Sequence, residues 1–220
     1  MFSIDGKLWG FLSKMADLIL VNVFFLVFSI PVITIGASKT ALFDVSRRIR
    51  RNEEGAIFKN FYYSFKSHFK KSTVIWILYV LSMAVTGVNV YACNILNMGW
   101  MTTIFMMASF MIFFIINITF LYAVMLTACG EDLLKGTLVK GCALAVANLP
   151  LTMIMIILET MLIILIFFFT NNWIYILTFY VVIGFALMEF ICSYFFDIMV
   201  KRIDRFRETE MCISDANPEE

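Results

Sequence analysis

Five stretches of the chain are apolar almost without interruption: residues 18–37, 73–96, 101–128, 149–169 and 173–200. A helix rises about 1.5 Å per residue, so each run is long enough to cross a hydrocarbon core of roughly 30 Å. None shows the strict alternation of a membrane β-strand. Backbone groups in lipid must pair within their own segment, which makes each run a helix. The pattern predicts an all-α, polytopic membrane helical bundle with about five transmembrane helices. A single membrane domain occupies residues 1–200, followed by a tail at 201–220.

The connecting segments are patterned too. Residues 38–72 predict two amphipathic cytoplasmic helices. Ser38 suits a cap, Leu42, Val45 and Ile49 share one side, and Arg47, Arg48 and Arg51 lie largely on another. Asn52-Glu53-Glu54-Gly55 predicts a turn, after which Phe58, Phe61, Phe65 and Phe69 are set against Lys59, Lys66 and Lys70. Such a helix lies along the headgroups or packs under the bundle. Residues 129–148 repeat the plan: Glu131-Asp132 opens a helix through Leu138, Cys142 and Ala145 that reaches Asn148-Leu149-Pro150. A shift of 80 residues aligns the two units, which suggests a duplication with a pseudo-twofold axis along the membrane normal. Ahead of the first run, Ile4, Leu8, Phe11 and Met15 recur opposite Ser3, Lys7, Lys14 and Asp17, as in an interfacial helix. Pro31 falls inside the first run, where a kink or a re-entrant turn is the alternative to a straight crossing. Cleavage as a signal peptide near Gly36-Ala37-Ser38 is disfavoured, because it would leave the Arg47–Arg51 cluster next to a new terminus.

Charge adds sidedness. Of 17 Lys and Arg, nine lie between Lys39 and Lys71, two (Lys135, Lys140) between the third and fourth runs, and four after the fifth. The links at 97–100 and 170–172 carry none. The positive-inside rule puts both basic loops and the C-terminus in the cytoplasm, and five crossings then put the N-terminus outside. With 62% hydrophobic and only 15% charged residues, the chain has too few charges for a water-facing surface. Its five Cys have no CxxC spacing, so neither a metal site nor a disulfide framework is expected. There is one His and no HExxH, GxSxG or glycine-rich phosphate loop, so no enzyme and no cofactor is expected.

Glu159, near the middle of the fourth run, is the sharpest feature. A carboxylate there costs about 2.5–3.5 kcal/mol on insertion scales, so protonation, a partner or a wet cavity must offset it. Asn117, Thr119 and Asn89 on neighbouring runs are the expected partners. Two roles fit: a proton- or cation-coupling carboxylate on a solute path, or a neutral side chain joining helices by hydrogen bonds. Glu189 and Asp197 are expected in near-interface ion pairs with Lys201 and Arg202. Asn22 and residues 31–36 suit either an unwound binding segment or a plain helix end. Arg47, Arg48, Arg50 and Arg51 suit anionic lipid or an acidic partner, or topology alone. Interleaved Phe and Lys also suit single-stranded nucleic acid, but a short membrane-bound helix argues against it.

Asp17-Leu18-Ile19-Leu20-Val21-Asn22, Ser29-Ile30-Pro31-Val32-Ile33-Thr34-Ile35-Gly36-Ala37 and Thr40-Ala41-Leu42 resemble the start of the YesL-like family. Phe61, Phe65-Lys66 and Phe69-Lys70 before a Trp-containing span continue the likeness, and Glu131 with Asn148-Leu149-Pro150 extends it loosely. His68 stands where the family more often has Asn. The resemblance implies a multi-pass protein of the bacterial cell membrane with no known catalytic residues. Relatives are commonly encoded beside sugar-importing ATP-binding-cassette systems. An accessory or regulatory role in carbohydrate uptake is therefore expected, with membrane lipids, importer subunits or a second copy as partners. The alternative is a small secondary transporter coupled through Glu159. Glu131 and Leu149-Pro150 also echo the ATPase-docking loop of such importers, but Asp132-Leu133 replaces the Ala-Ala of that loop, and the echo is read as coincidence.

Overall fold

A computed structural model describes residues 4–53, 55–96, 99–130, 141 and 144–216. The described residues are helical almost throughout and contain no strand. The helices are α1 (Ile4–Phe28), α2 (Ile35–Arg50), α3 (Ile57–Leu96), α4 (Trp100–Ala128), α5 (Leu149–Phe168), α6 (Trp173–Phe179) and α7 (Phe185–Ala216). A 3-10 turn at Val32–Thr34 precedes α2, and a π-helical turn at Tyr180–Gly184 joins α6 to α7. Among the described residues, four helical segments are long and apolar enough to cross a membrane: Trp9–Phe28, Ile57–Ile95, Trp100–Ala128 and Trp173–Arg202. The 20-residue α5 is apolar over Leu149–Leu162. Side chains such as Val88 and Phe110 point outward, and such a surface requires apolar surroundings. This is the architecture of a membrane protein.

The first apolar run is divided rather than continuous through Ala37. Proline disfavours helical backbone in the residue before it, and α1 ends at Phe28, three residues ahead of Pro31. The carbonyls freed by the break are used. Thr34 Oγ1 donates to Phe28 O and Pro31 O, both at 2.6 Å, and Trp76 Nε1 donates to Val32 O at 2.8 Å. Ser38, the expected cap, lies one turn inside α2 and is fully buried, with no hydrogen-bond partner for its hydroxyl among the described residues.

Between them, the two halves of segment 38–72 also depart from expectation. Instead of lying along the headgroups, α2 is enclosed by α1, α3, α4 and α7. Its small residues Gly36, Ala37, Ser38, Thr40 and Ala41 are buried and permit this close approach. A Cβ at position 36 would stand 2.5 Å from Trp76 Cβ and 2.6 Å from the Ser72 carbonyl oxygen, so only glycine fits. The Phe/Lys segment is continuous with the second apolar run, giving the 40-residue α3. Asn52 closes α2 with left-handed backbone (φ 55°), which asparagine tolerates.

Ring contacts fix the chain direction. Phe24 meets Phe58 at 5.2 Å and Phe28 meets Phe65 at 4.9 Å, so α1 and α3 run in the same sense. Gly36 lies against Ser72 and Trp76 while Thr40 Oγ1 lies 2.8 Å from Ser72 Oγ, so α2 runs back between them. The π turn is held by Asn22, which is fully buried. Its Nδ2 donates to Tyr180 O (3.1 Å) and Val181 O (2.6 Å), and its Oδ1 accepts from the Ala186 N–H (3.0 Å). One amide thereby serves three backbone groups where α6 passes through the π turn into α7.

Candidate functional site

Three helices bring charge to one place. α2 contributes Lys39, α5 contributes Glu159 and α7 contributes Glu189. Lys39 Nζ donates to Glu159 Oε2 and lies 3.7 Å from Glu189 Oε1. All three line a cavity of about 350 Å³ whose wall also includes Trp76, Tyr79, Asn117, Phe120 and Tyr180. Tyr79 OH donates to Asn117 Oδ1 at 3.0 Å, and Asn117 Nδ2 donates to Phe113 O at 2.8 Å. The Tyr79 and Phe120 rings stack at 4.2 Å, and the Lys39 ammonium lies 5.7 Å from the Phe120 centroid.

The site is unevenly charged. Burial among apolar side chains penalises any charge here that lacks a partner, which ties the Lys39 ammonium to the two acidic groups. One ammonium thus faces two acidic groups. Glu159 Oε1, Glu189 Oε2 and Tyr180 OH are buried in the same wall without a hydrogen-bond partner among the described residues.

The expected partners of Glu159 are distributed differently. Asn117 lines the cavity but is bonded to Tyr79. Thr119 donates to Ile115 O within its own helix and faces a separate cavity of about 300 Å³. Asn89 is exposed and accepts a long contact of 3.7 Å from Cys93 Sγ. Lys39 was hidden from sequence reasoning because it sat in an apparent cytoplasmic loop. The available signal was its place within Gly36-Ala37-Ser38-Lys39-Thr40-Ala41-Leu42, a run otherwise small or apolar. Glu189, expected near Lys201 and Arg202, faces Lys39 instead.

A second cluster lies at the C-terminal end of α2. Arg47 Nη2 and Arg51 Nη2 reach Asp197 Oδ1 at 2.6 Å and 3.0 Å, and Arg50 Nη2 donates to Asp197 Oδ2. Arg50 Nε also donates to Ser193 Oγ at 3.0 Å, and Arg47 Nη1 contacts Cys129 Sγ at 3.0 Å. Arg48 pairs with Asp44, four residues earlier, at 3.1 Å. Three of the four arginines expected to face lipid or a partner are therefore turned toward α7. Glu131 lies outside the described residues, as does most of the cytoplasmic segment 129–148 that opens the proposed second repeat unit.

Residues 18–90 match a family model described as a protein of unknown function, DUF624. That stretch carries Lys39, the arginines, Trp76 and Tyr79, whereas Glu159, Glu189 and Asp197 lie beyond it. No curated protein and no solved structure matches the chain.

Proposed function

We propose that the chain is a small transporter-type membrane protein that binds a proton or cation at Lys39, Glu159 and Glu189 while a solute occupies the adjoining cavity. One observation carries this reading: a second buried carboxylate beside a base already engaged by the first. A device for joining helices needs one acid and one base. The additional acid costs desolvation energy and adds like-charge repulsion, which are the conditions under which a carboxyl group exchanges a proton or cation. Aromatic and apolar walls with a few convergent polar groups are also usual in small-molecule sites. No catalytic step is assigned to these residues.

The test is ion flux into vesicles containing the purified full chain, read with entrapped pH- and sodium-sensitive dyes under an imposed membrane potential. Wild type is expected to exceed protein-free vesicles, and Glu159→Gln to fall to their level. Unchanged flux in the variant removes Glu159 from the coupling role.

A second reading rests on the resemblance to YesL-like proteins, which belong to the family whose model matches residues 18–90. On this reading the protein is an accessory of carbohydrate uptake in the bacterial cell membrane, contacting importer subunits, lipid or a second copy of itself. Crosslinking and purification from native membranes tests it. Repeated failure to recover importer subunits counts against it.

A further inference from the structure

The occupant of the cavity is constrained by what its wall leaves unsatisfied. Glu159 Oε1 and Glu189 Oε2 lack partners among the described residues, and so does the Tyr180 hydroxyl. Glu189 and Tyr180 are almost completely enclosed, at 3% and 2% exposure. An ionised carboxylate only accepts hydrogen bonds, so the missing partner is a donor or a positive charge. Lys39 balances one carboxylate; when both are ionised the other is in surplus, and a bound cation is what balances it in place of a proton. An anionic ligand would meet that surplus charge unfavourably, and a neutral polyol would leave it uncompensated.

Size and lining narrow the choice further. A cavity of about 350 Å³ is far larger than a bare metal ion. The unpartnered oxygens number three, fewer than the six or more that hard cations commonly gather. Most of the wall is apolar, and Trp76, Tyr79 and Phe120 form a connected aromatic face, with centroids 5.6 Å apart for Trp76–Tyr79 and 5.7 Å for Trp76–Phe120. Aromatic faces attract organic cations and also bury their apolar parts.

We infer that the cavity takes a small organic ammonium ion, its charged end at Glu189 and Tyr180 and its apolar body against Trp76, Tyr79 and Phe120. This inference rests on the cavity reading above and names the class of solute. The same charge balance disfavours phosphates and carboxylates as occupants.

The experiment is isothermal titration of the full chain in lipid nanodiscs with n-butylammonium, using 1-butanol as the neutral counterpart and potassium chloride as the inorganic control, with empty nanodiscs subtracted. Saturable binding is expected for n-butylammonium alone. Glu189→Gln should weaken it at least about tenfold and Tyr180→Phe severalfold, since hydrogen bonds to charged groups are the strong ones. Both variants remove little volume, and an unfolding temperature near that of wild type will show that they fold. Equal binding of 1-butanol, or n-butylammonium binding that survives both substitutions, overturns the ammonium assignment. Absence of amine binding alongside Glu159-dependent ion flux overturns the assignment and leaves the transporter reading standing. Absence of both removes both.

Discussion

Lys39 of α2 hydrogen-bonds to Glu159 of α5, 120 residues away in sequence, and the same ammonium lies 3.7 Å from Glu189 of α7. The pairing ties a short polar helix to two apolar ones. Removing the base should therefore be worse than removing an acid. Lys39→Met is expected to lower stability by about 3 kcal/mol, because it leaves two enclosed carboxyl groups without their cation. Adding Glu159→Gln should recover part of that loss. Thermal unfolding in detergent reads both, and additive losses in the double variant would refute the coupling.

At Gly36 the prediction is steric. Its missing Cβ is what allows α2 to lie on Ser72 and Trp76. Gly36→Ala should destabilise the chain by about 1–3 kcal/mol as α2 and α3 are forced apart. A helix-propensity gain of about 1 kcal/mol opposes this, so a variant more stable than wild type would show that the approach is looser than described.

Much of the architecture was legible because lipid imposes it. The long apolar runs had to be helical, and they are, apart from the break around Pro31 in the first. The position of α2 was not legible. Gly36-Ala37-Ser38 followed by five basic residues up to Arg51 has the local pattern of a cap and a solvated helix. Its burial depends on partners far along the chain: Glu159 for Lys39, and Asp197 for Arg47, 150 residues on. A charge census cannot distinguish an arginine aimed at a headgroup from one aimed at a distant aspartate. Glu159 stood out because its neighbours in sequence are apolar. Lys39 did not stand out, because the adjacent Ser38 and Thr40 are small and polar, as in a loop.

Asn22 offers a sharper substitution than most. It bonds two carbonyls of the π turn and one N–H of α7, and no other residue type offers this set of groups at the same length. Asn22→Ala should cost about 3 kcal/mol by removing its three hydrogen bonds to the backbone. Asn22→Asp should cost more, since a carboxylate would face the Tyr180 and Val181 carbonyl oxygens. Equal unfolding temperatures for the two variants would contradict this role.

Chain direction yields a topological prediction. Five crossings place the two termini on opposite faces of the membrane. With α1 and α3 in the same sense and α2 returning between them, the start of α1 belongs on the side of Arg50 and Asp197. Cysteine labels at Ser3 and Arg50 are therefore expected to react from the same face in oriented vesicles, with Asn171 reacting from the other. Labelling of Ser3 together with Asn171 would restore the count of five.

The most direct measurement of the charged cavity's role is ion flux through vesicles carrying Glu189→Gln. This change keeps the Lys39–Glu159 pair and nearly all of the side-chain volume, so packing survives while the surplus acid is lost. Flux is predicted to fall to that of protein-free vesicles with the unfolding temperature close to wild type. Flux equal to wild type, in a variant that folds, would show that the second carboxyl group has no part in moving charge.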